Sequence, residues 1–281
     1  MRLAIAHRTE YRYSQPVFLE PISLRLRPRC DVSQTLHTYN IQIDPAPAGR
    51  GQCVDLDGNG TEAVWFNGLH ERFTIVVDAV VETHRLNPFA FLITDPDAAR
   101  LPLVYAPRLR PTLAHYLARP SVDTAVAAFA DAIKNEAGDD SLRFLILLAE
   151  RIRANFAYSV REQGEPWTPR ETLERKAGAC RDFAMLYVDA CRCVGIAARF
   201  VSGYSYADAA AEHHLHAWAE VYLPGGGWRG FDPSEGLAVA DRHIALASGH
   251  SAEDASPVFG RYRGEAQLDL VAAVSIAKLA D

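Results

Sequence analysis

Apolar and polar residues alternate in short runs from residue 3 to about 83, as in His37-Thr38-Tyr39-Asn40-Ile41-Gln42-Ile43 and Arg72-Phe73-Thr74-Ile75-Val76-Val77, with turn formers between the runs. A period of two puts successive side chains on opposite faces of an extended chain, so this stretch predicts a small antiparallel β domain. From 101 to 111 the period is lost and Pro102, Pro107 and Pro111 are spaced along the chain. That segment reads as a linker between two domains, 1–110 and 111–281. Helical spacing follows. Ser121 can cap a helix carrying Val122, Ala125, Val126, Phe129 and Ile133, and Asp140 or Ser141 can cap another carrying Leu145, Leu148, Ile152 and Phe156. A third apolar stripe, Phe183, Ala184, Tyr187, Val188, Cys191 and Val194, predicts a helix that starts at Cys180 and stops at Gly195. Strand-like runs return at 197–204, 215–223 and 228–231, the last two joined by Pro224-Gly225-Gly226-Gly227, a turn suited to a hairpin. The tail from 267 to 276 is apolar enough for one more strand or a short helix. The succession predicts an α+β chain, with a sandwich-like β domain followed by helices packed on an antiparallel sheet.

Composition narrows the function classes. With 281 residues, 49% of them hydrophobic, the chain can bury a large core. Its formal charge of -6 includes no long block of one sign, and Arg25, Arg27 and Arg29 alternate like one face of a strand, which argues against a nucleic-acid partner. Polar residues interrupt the N-terminus before an apolar run of signal length forms, and no later run is long enough to span a membrane, so a soluble cytoplasmic protein is expected. Five cysteines, Cys30, Cys53, Cys180, Cys191 and Cys193, make an odd count in a long chain, so a disulfide framework is not expected. Reduced thiols suit a reactive cysteine.

Candidate chemistry centres on Cys180. A helix N-terminus offers it unpaired backbone N–H groups and the positive end of the helix dipole, both of which favour thiolate and the first of which can hold an oxyanion. Ala177, Gly178 and Ala179 leave little bulk in front of the sulfur. His216 and Asp232 fall on the two arms of the expected hairpin, with parity that lets them meet across the ladder. Asp232 would then fix the imidazole tautomer, His216 would move the proton, and Cys180 would carry an acyl group. Each residue also has a plain structural reading: a core cysteine, a strand histidine and a turn-opening aspartate before Pro233. The order and context of all three together point to catalysis.

Those residues carry a resemblance. Gly178-Ala179-Cys180-Arg181-Asp182, Val201-Ser202-Gly203-Tyr204, His216-Ala217-Trp218-Ala219-Glu220-Val221-Tyr222 and Gly227-Trp228 through Phe231-Asp232-Pro233 resemble, in order, the core of the bacterial transglutaminase-like superfamily. His7, Thr9, Tyr11, Tyr13, Arg27-Pro28-Arg29, Asp55 and Gly58-Asn59 resemble the β domain that precedes this core in bacterial members. The resemblance implies a papain-like α+β core and acyl transfer from an amide, with Cys180 as nucleophile, His216 as base and Asp232 as orienting acid. It departs at Ser234, where a threonine is expected. The implied partner is a peptide or protein amide substrate, with water or an amine as acceptor. Water is preferred, which makes the expected activity that of a cysteine peptidase or amidase. A transglutaminase and a non-catalytic scaffold are the alternatives, and the scaffold would be expected to have lost a member of the triad. Trp167, Tyr158 and Tyr204 are candidate second oxyanion donors. A homo-oligomer is left open.

Two patterns imitate metal sites. Asp55-Leu56-Asp57-Gly58-Asn59-Gly60 opens like a calcium loop, but its twelfth position is Phe66 instead of a bidentate Glu, so a tight hairpin turn is expected. His213, His214 and His216 lie near Cys191 and Cys193 in sequence, yet the two cysteines point apart on a helix and no second ligand pair follows at zinc spacing. No metal or cofactor is expected.

Overall fold

The computed structural model describes residues 1–119, 123–161, 164–207 and 214–280. The N-terminal strands are β1 (Arg2–Leu19), β2 (Ile22–Leu24), β3 (Gln34–Asp44), β4 (Gly49–Val54), β5 (Gly60–Trp65) and β6 (His70–Thr83). β1 pairs antiparallel with β6, and β6 with β3, while β2, β5 and β4 form a second antiparallel sheet. Alternate residues of these strands, among them Leu3, Ile5, Leu24, Val64, Phe73, Ile75 and Val77, bury into one shared core. This is the expected sandwich-like β region. The calcium-like run is the β4–β5 turn, where Asp55 Oδ1 accepts the backbone N–H groups of Asp57 and Asn59.

Arg25, Arg27 and Arg29 correct one expectation. They lie beyond the end of β2, with a bend at Arg27, instead of on a paired strand, and each finds a different partner: Asp55, the Tyr39 ring and Glu220.

The segment from 101 to 111 corrects another, because it packs instead of merely linking. Leu101, Leu103 and Tyr105 are buried; the Tyr105 hydroxyl donates to the Tyr222 carbonyl and accepts the Ala197 N–H. α1 (Arg110–Leu117) follows, a helix the apolar spacing did not announce. α2 (Thr124–Ala137) is capped by Asp123, whose carboxylate accepts the Ala125 and Val126 N–H groups; the expected cap Ser121 lies outside the described residues. α3 (Ser141–Asn155) is capped by Asp140. β7 (Ala157–Tyr158), α4 (Pro169–Arg175) and β8 (Ala177–Gly178) lead into α5 (Cys180–Cys193), and β7 pairs parallel with β8.

A third sheet has the order β12 (Leu237–Ala238), β11 (Gly227–Asp232), β10 (Leu215–Leu223), β9 (Ala198–Ser205) and β13 (His243–Gly249), all antiparallel. One face of α5 and faces of α2 and α3 pack with β10 and β11 in a second core that includes Phe144, Leu148, Phe183, Leu186, Tyr187, Val221 and Phe231. The chain is thus α+β, with a β region ahead of a core of helices on an antiparallel sheet.

The C-terminal strands return to the start of the chain. β14 (Val258–Phe259) pairs with β2, β15 (Tyr262–Arg263) with the end of β1, and β16 (Leu268–Lys278) runs along β1 from Leu3 to Tyr13. Tyr204, Ile244 and Leu246 of the third sheet enter the core of the N-terminal sheets, so the two cores meet there. Among the described residues no helix is long and apolar enough to cross a membrane.

Candidate active site

α5 places Cys180 at its first turn. Ala179 is the extended residue before the helix, and Asp182, at the third helical position, folds back so that Oδ2 accepts the Ala179 N–H at 2.8 Å. Asp182 is buried; its Oδ1 also takes Arg161 Nη2 at 2.6 Å and the Trp167 N–H at 2.8 Å. One carboxylate therefore starts the helix and fastens the segment in front of it. The rest of α5 is anchored by its apolar face, and the Tyr187 hydroxyl donates to the Leu145 carbonyl of α3. Gly178 is required by close approach: a Cβ there would stand 2.8 Å from Asp182 Cβ and 3.1 Å from a Phe183 ring carbon.

His216 sits on β10 opposite Gly203 of β9. Asp232 ends β11 and is fully buried. The hairpin register pairs Ala219 with Phe231, which leaves Asp232 within diagonal reach of His216. His216 Nε2–H donates to Asp232 Oδ2 at 2.6 Å. The ring also hydrogen-bonds Cys180, whose sulfur faces the Ala217 N–H as well. Because Nε2 is committed to the carboxylate, Nδ1 is the nitrogen left for sulfur. Three side chains from one helix start and two strands are thereby in line.

The electrostatics follow from that line. Burial works against charge on the Cys180 thiol, but the hydrogen bond and charge of His216 outweigh it and hold the thiol below its ordinary value. Burial alone would likewise lower His216; the Asp232 charge and hydrogen bond, with those of Cys180, raise it well above an ordinary imidazole instead. Asp232 is held far below the carboxylate range in spite of burial, by the charge and hydrogen bond of His216 and the hydrogen bond of His243. The arrangement favours a thiolate beside an imidazolium beside a carboxylate.

Asp232 has two further backbone partners: Oδ1 accepts the N–H groups of Ser234 at 2.8 Å and Glu235 at 3.2 Å. Oδ2 is shared, since His243 Nε2 lies 3.0 Å from it. His243 opens the buried strand β13 and is not among the candidates read from the sequence. The signal was the apolar run Ile244-Ala245-Leu246-Ala247 immediately after it.

The three aromatic candidates separate. The Tyr204 hydroxyl is bonded to His7 Nδ1 at 2.8 Å inside the core. Trp167 lies between two guanidinium groups, Arg161 at 4.4 Å and Arg175 at 4.5 Å from its ring centre. Tyr158 is the one in reach of the sulfur: its hydroxyl hydrogen-bonds the Cys180 side chain and accepts the Cys180 N–H, and burial, followed by the Cys180 charge, pushes the phenol above its ordinary value. Trp218 packs beside His216, ring centres 6.3 Å apart.

One group of described residues could ligate a cation: His216, Asp232, Glu235 and His243 place a donor atom each within 4.8 Å of one another. Both imidazoles already direct Nε2 at Asp232 Oδ2, so an ion there would have to replace those hydrogen bonds. Of the histidine cluster weighed in the sequence, His213 lies outside the described residues and Cys191 is buried in the helical core.

Comparison with known proteins agrees with this architecture. Residues 3–82 match the bacterial transglutaminase-like N-terminal region, and residues 127–233 match the transglutaminase-like superfamily. The uncharacterized protein ML0607 of Mycobacterium leprae is 28% identical over 288 residues, covering 99% of each chain. The uncharacterized protein Rv2569c of Mycobacterium tuberculosis is 30% identical over 287 residues, covering 92% of this chain and 87% of its own. The crystal structure of a candidate cysteine protease from Cytophaga hutchinsonii shares the fold with a TM-score of 0.74 at 21% identity, over 100% of this chain and 91% of the other. The chain belongs to the transglutaminase-like superfamily, and it carries the bacterial N-terminal region of that family ahead of the core.

Proposed function

We propose that the protein is a cysteine peptidase or amidase in which Cys180 is the nucleophile, His216 transfers protons and Asp232 orients His216. The observation that best supports this reading is the imidazole of His216, hydrogen-bonded to the thiol on one side and to a buried carboxylate at 2.6 Å on the other. In the first half-reaction the thiolate adds to the amide carbonyl carbon, forming a C–S bond. Proton transfer from His216 Nδ1–H to the amide nitrogen lets the C–N bond break and the amine leave. In the second, neutral His216 takes a proton from water while the water oxygen attacks the thioester; the C–S bond breaks and the thiolate is restored. The carbonyl oxygen, negative in each tetrahedral intermediate, would be met by the Cys180 N–H and the Tyr158 hydroxyl.

Water is preferred over an amine as acceptor because it needs no second binding site. The reading includes a cytoplasmic setting, which would keep the five free thiols reduced. The Cytophaga hutchinsonii protein of the same fold is named in the same chemical class. The test offers a mixed peptide library together with a labelled primary amine and follows fragments and conjugates by mass spectrometry, with Cys180→Ala as the control. Cleavage or deamidation that depends on Cys180 is the expected result. Conjugates without either would replace hydrolysis by transglutamination, and the absence of any Cys180-dependent product would favour the scaffold.

A further inference from the structure

A second histidine, His243, shares the Asp232 carboxylate with His216. His243 is 6% exposed, with its ring edge-on to Trp218 at 5.1 Å and 77°. Its Nε2 lies 3.0 Å from Asp232 Oδ2, while Nδ1 is buried with no hydrogen-bond partner. The tautomer with the proton on Nε2 satisfies the one contact and leaves only a lone pair unmatched; the other tautomer would bury an unpaired N–H and aim a lone pair at a carboxylate. The titratable groups facing the ring are Asp232 and His216, with Glu235 at the rim. His243 thus donates to the same oxygen that holds His216.

The strand carrying it is fastened by the N-terminal region. Among the described residues β13 pairs with β9 on one side only. On the other side the Gln34 side-chain amide donates to the Ala245 carbonyl at 3.0 Å and accepts the Ala245 N–H at 2.8 Å, and the Asn59 amide does the same for Ser248 at 2.7 and 2.8 Å. The Thr83 hydroxyl donates to the Asp241 carbonyl at 2.6 Å. Two side-chain amides stand where the backbone of a neighbouring strand would be. The N-terminal region therefore holds the strand that carries His243.

We propose that His243 is a positioning residue for the Asp232–His216 pair, and that the N-terminal β region acts on the site through it. This rests on the triad reading above. The test is the pH profile of Cys180 alkylation by iodoacetamide in the full chain, for His243→Leu, which fills the space without a donor, and His243→Gln, which restores one. In the Leu variant the acid limb should move up by about one pH unit toward that of an ordinary thiol, as His216 loses its fixed carboxylate; in the Gln variant it should return most of the way. A Leu profile superimposed on the parent overturns the proposal, and so do equal shifts in both variants, which would mean that volume matters and the donated hydrogen bond does not. If the Leu variant does not fold, Gln34→Ala carries the test without touching the site: the same upward shift is expected, and an unchanged limb overturns it. His216→Ala run in parallel separates the two readings. Slow labelling there with a normal His243→Leu profile removes only this proposal, whereas unchanged labelling in His216→Ala removes the triad and this proposal together.

Discussion

Tyr158 is where residue identity alone stopped short. Three polar aromatics, Tyr158, Trp167 and Tyr204, are equivalent in a sequence reading, and only distance separates them. The Tyr204 hydroxyl is taken by His7, Trp167 is held between two arginines, and the Tyr158 hydroxyl meets both the sulfur and the N–H of Cys180. Its phenol is pushed above the ordinary value by burial and then by the Cys180 charge, so it keeps its proton at neutral pH. Tyr158→Phe should then lower kcat about a hundredfold with little change in KM, the size of effect expected for losing one oxyanion donor. Steady-state kinetics on the best peptide from the library would check it, and full turnover in the Phe variant would remove Tyr158 from the mechanism. Cys180, His216 and Asp232 were legible as candidates because a small-residue turn before an amphipathic stripe, and two polar residues on a hairpin, are local patterns. His243 was not, because nothing local marks a strand histidine as the partner of a carboxylate eleven residues earlier.

At the scale of elements, strong periods were readable and short helices were not. α5 begins at Cys180 as its stripe predicts, and β9, β10 and β11 fall within a residue of the expected runs. α1 and α4, with 8 and 7 residues, escaped because so short a helix is set more by packing than by its own propensity. β1 has a further role. Its His7 is buried, bonded to Tyr204 of β9 on Nδ1 and to Thr9 on Nε2, and burial pulls its pKa down to about 4. An unfolded chain protonates His7 near pH 6.5 and the folded chain only near 4, so between those values the unfolded state binds more protons. The contribution of His7 to stability is complete above pH 6.5 and is lost as pH falls toward 4. Melting temperatures of the parent should decline faster across this window than those of His7→Gln; parallel curves would mean that His7 does not titrate in folding.

For the molecule as a whole, the division expected at residue 110 meets a chain that closes on itself. β16 lies along β1, β14 pairs with β2, and Arg29 reaches Glu220 of β10 at 3.1 Å. Burial would raise the Glu220 carboxyl, but the charges of Arg29 and Arg199 bring it down to about 2. A fragment covering 111–281 would lose the partners of β14, β15 and β16, the amides on β13 and one of the two cations on a buried carboxylate. We propose that the N-terminal unit includes 258–278, and expect the 111–281 fragment to show no cooperative thermal transition by circular dichroism. A fragment that melts cooperatively and keeps fast Cys180 alkylation would support the boundary at 110 instead.

What the sequence determined by itself is the local grammar: alternation for the β region, helical stripes, a thiol at a helix start, a glycine-rich hairpin, and the motif order that carries the family. These are readable because side-chain period and turn chemistry act over a few residues. Only the tertiary structure decided which hydroxyl reaches the sulfur, that His243 shares Asp232 Oδ2 with His216, and that the last strand completes the first sheet. Such contacts join residues up to about 275 positions apart, as Leu3 with Lys278. They depend on which distant strands pair and which faces bury against each other, and a period read along one segment names neither partner.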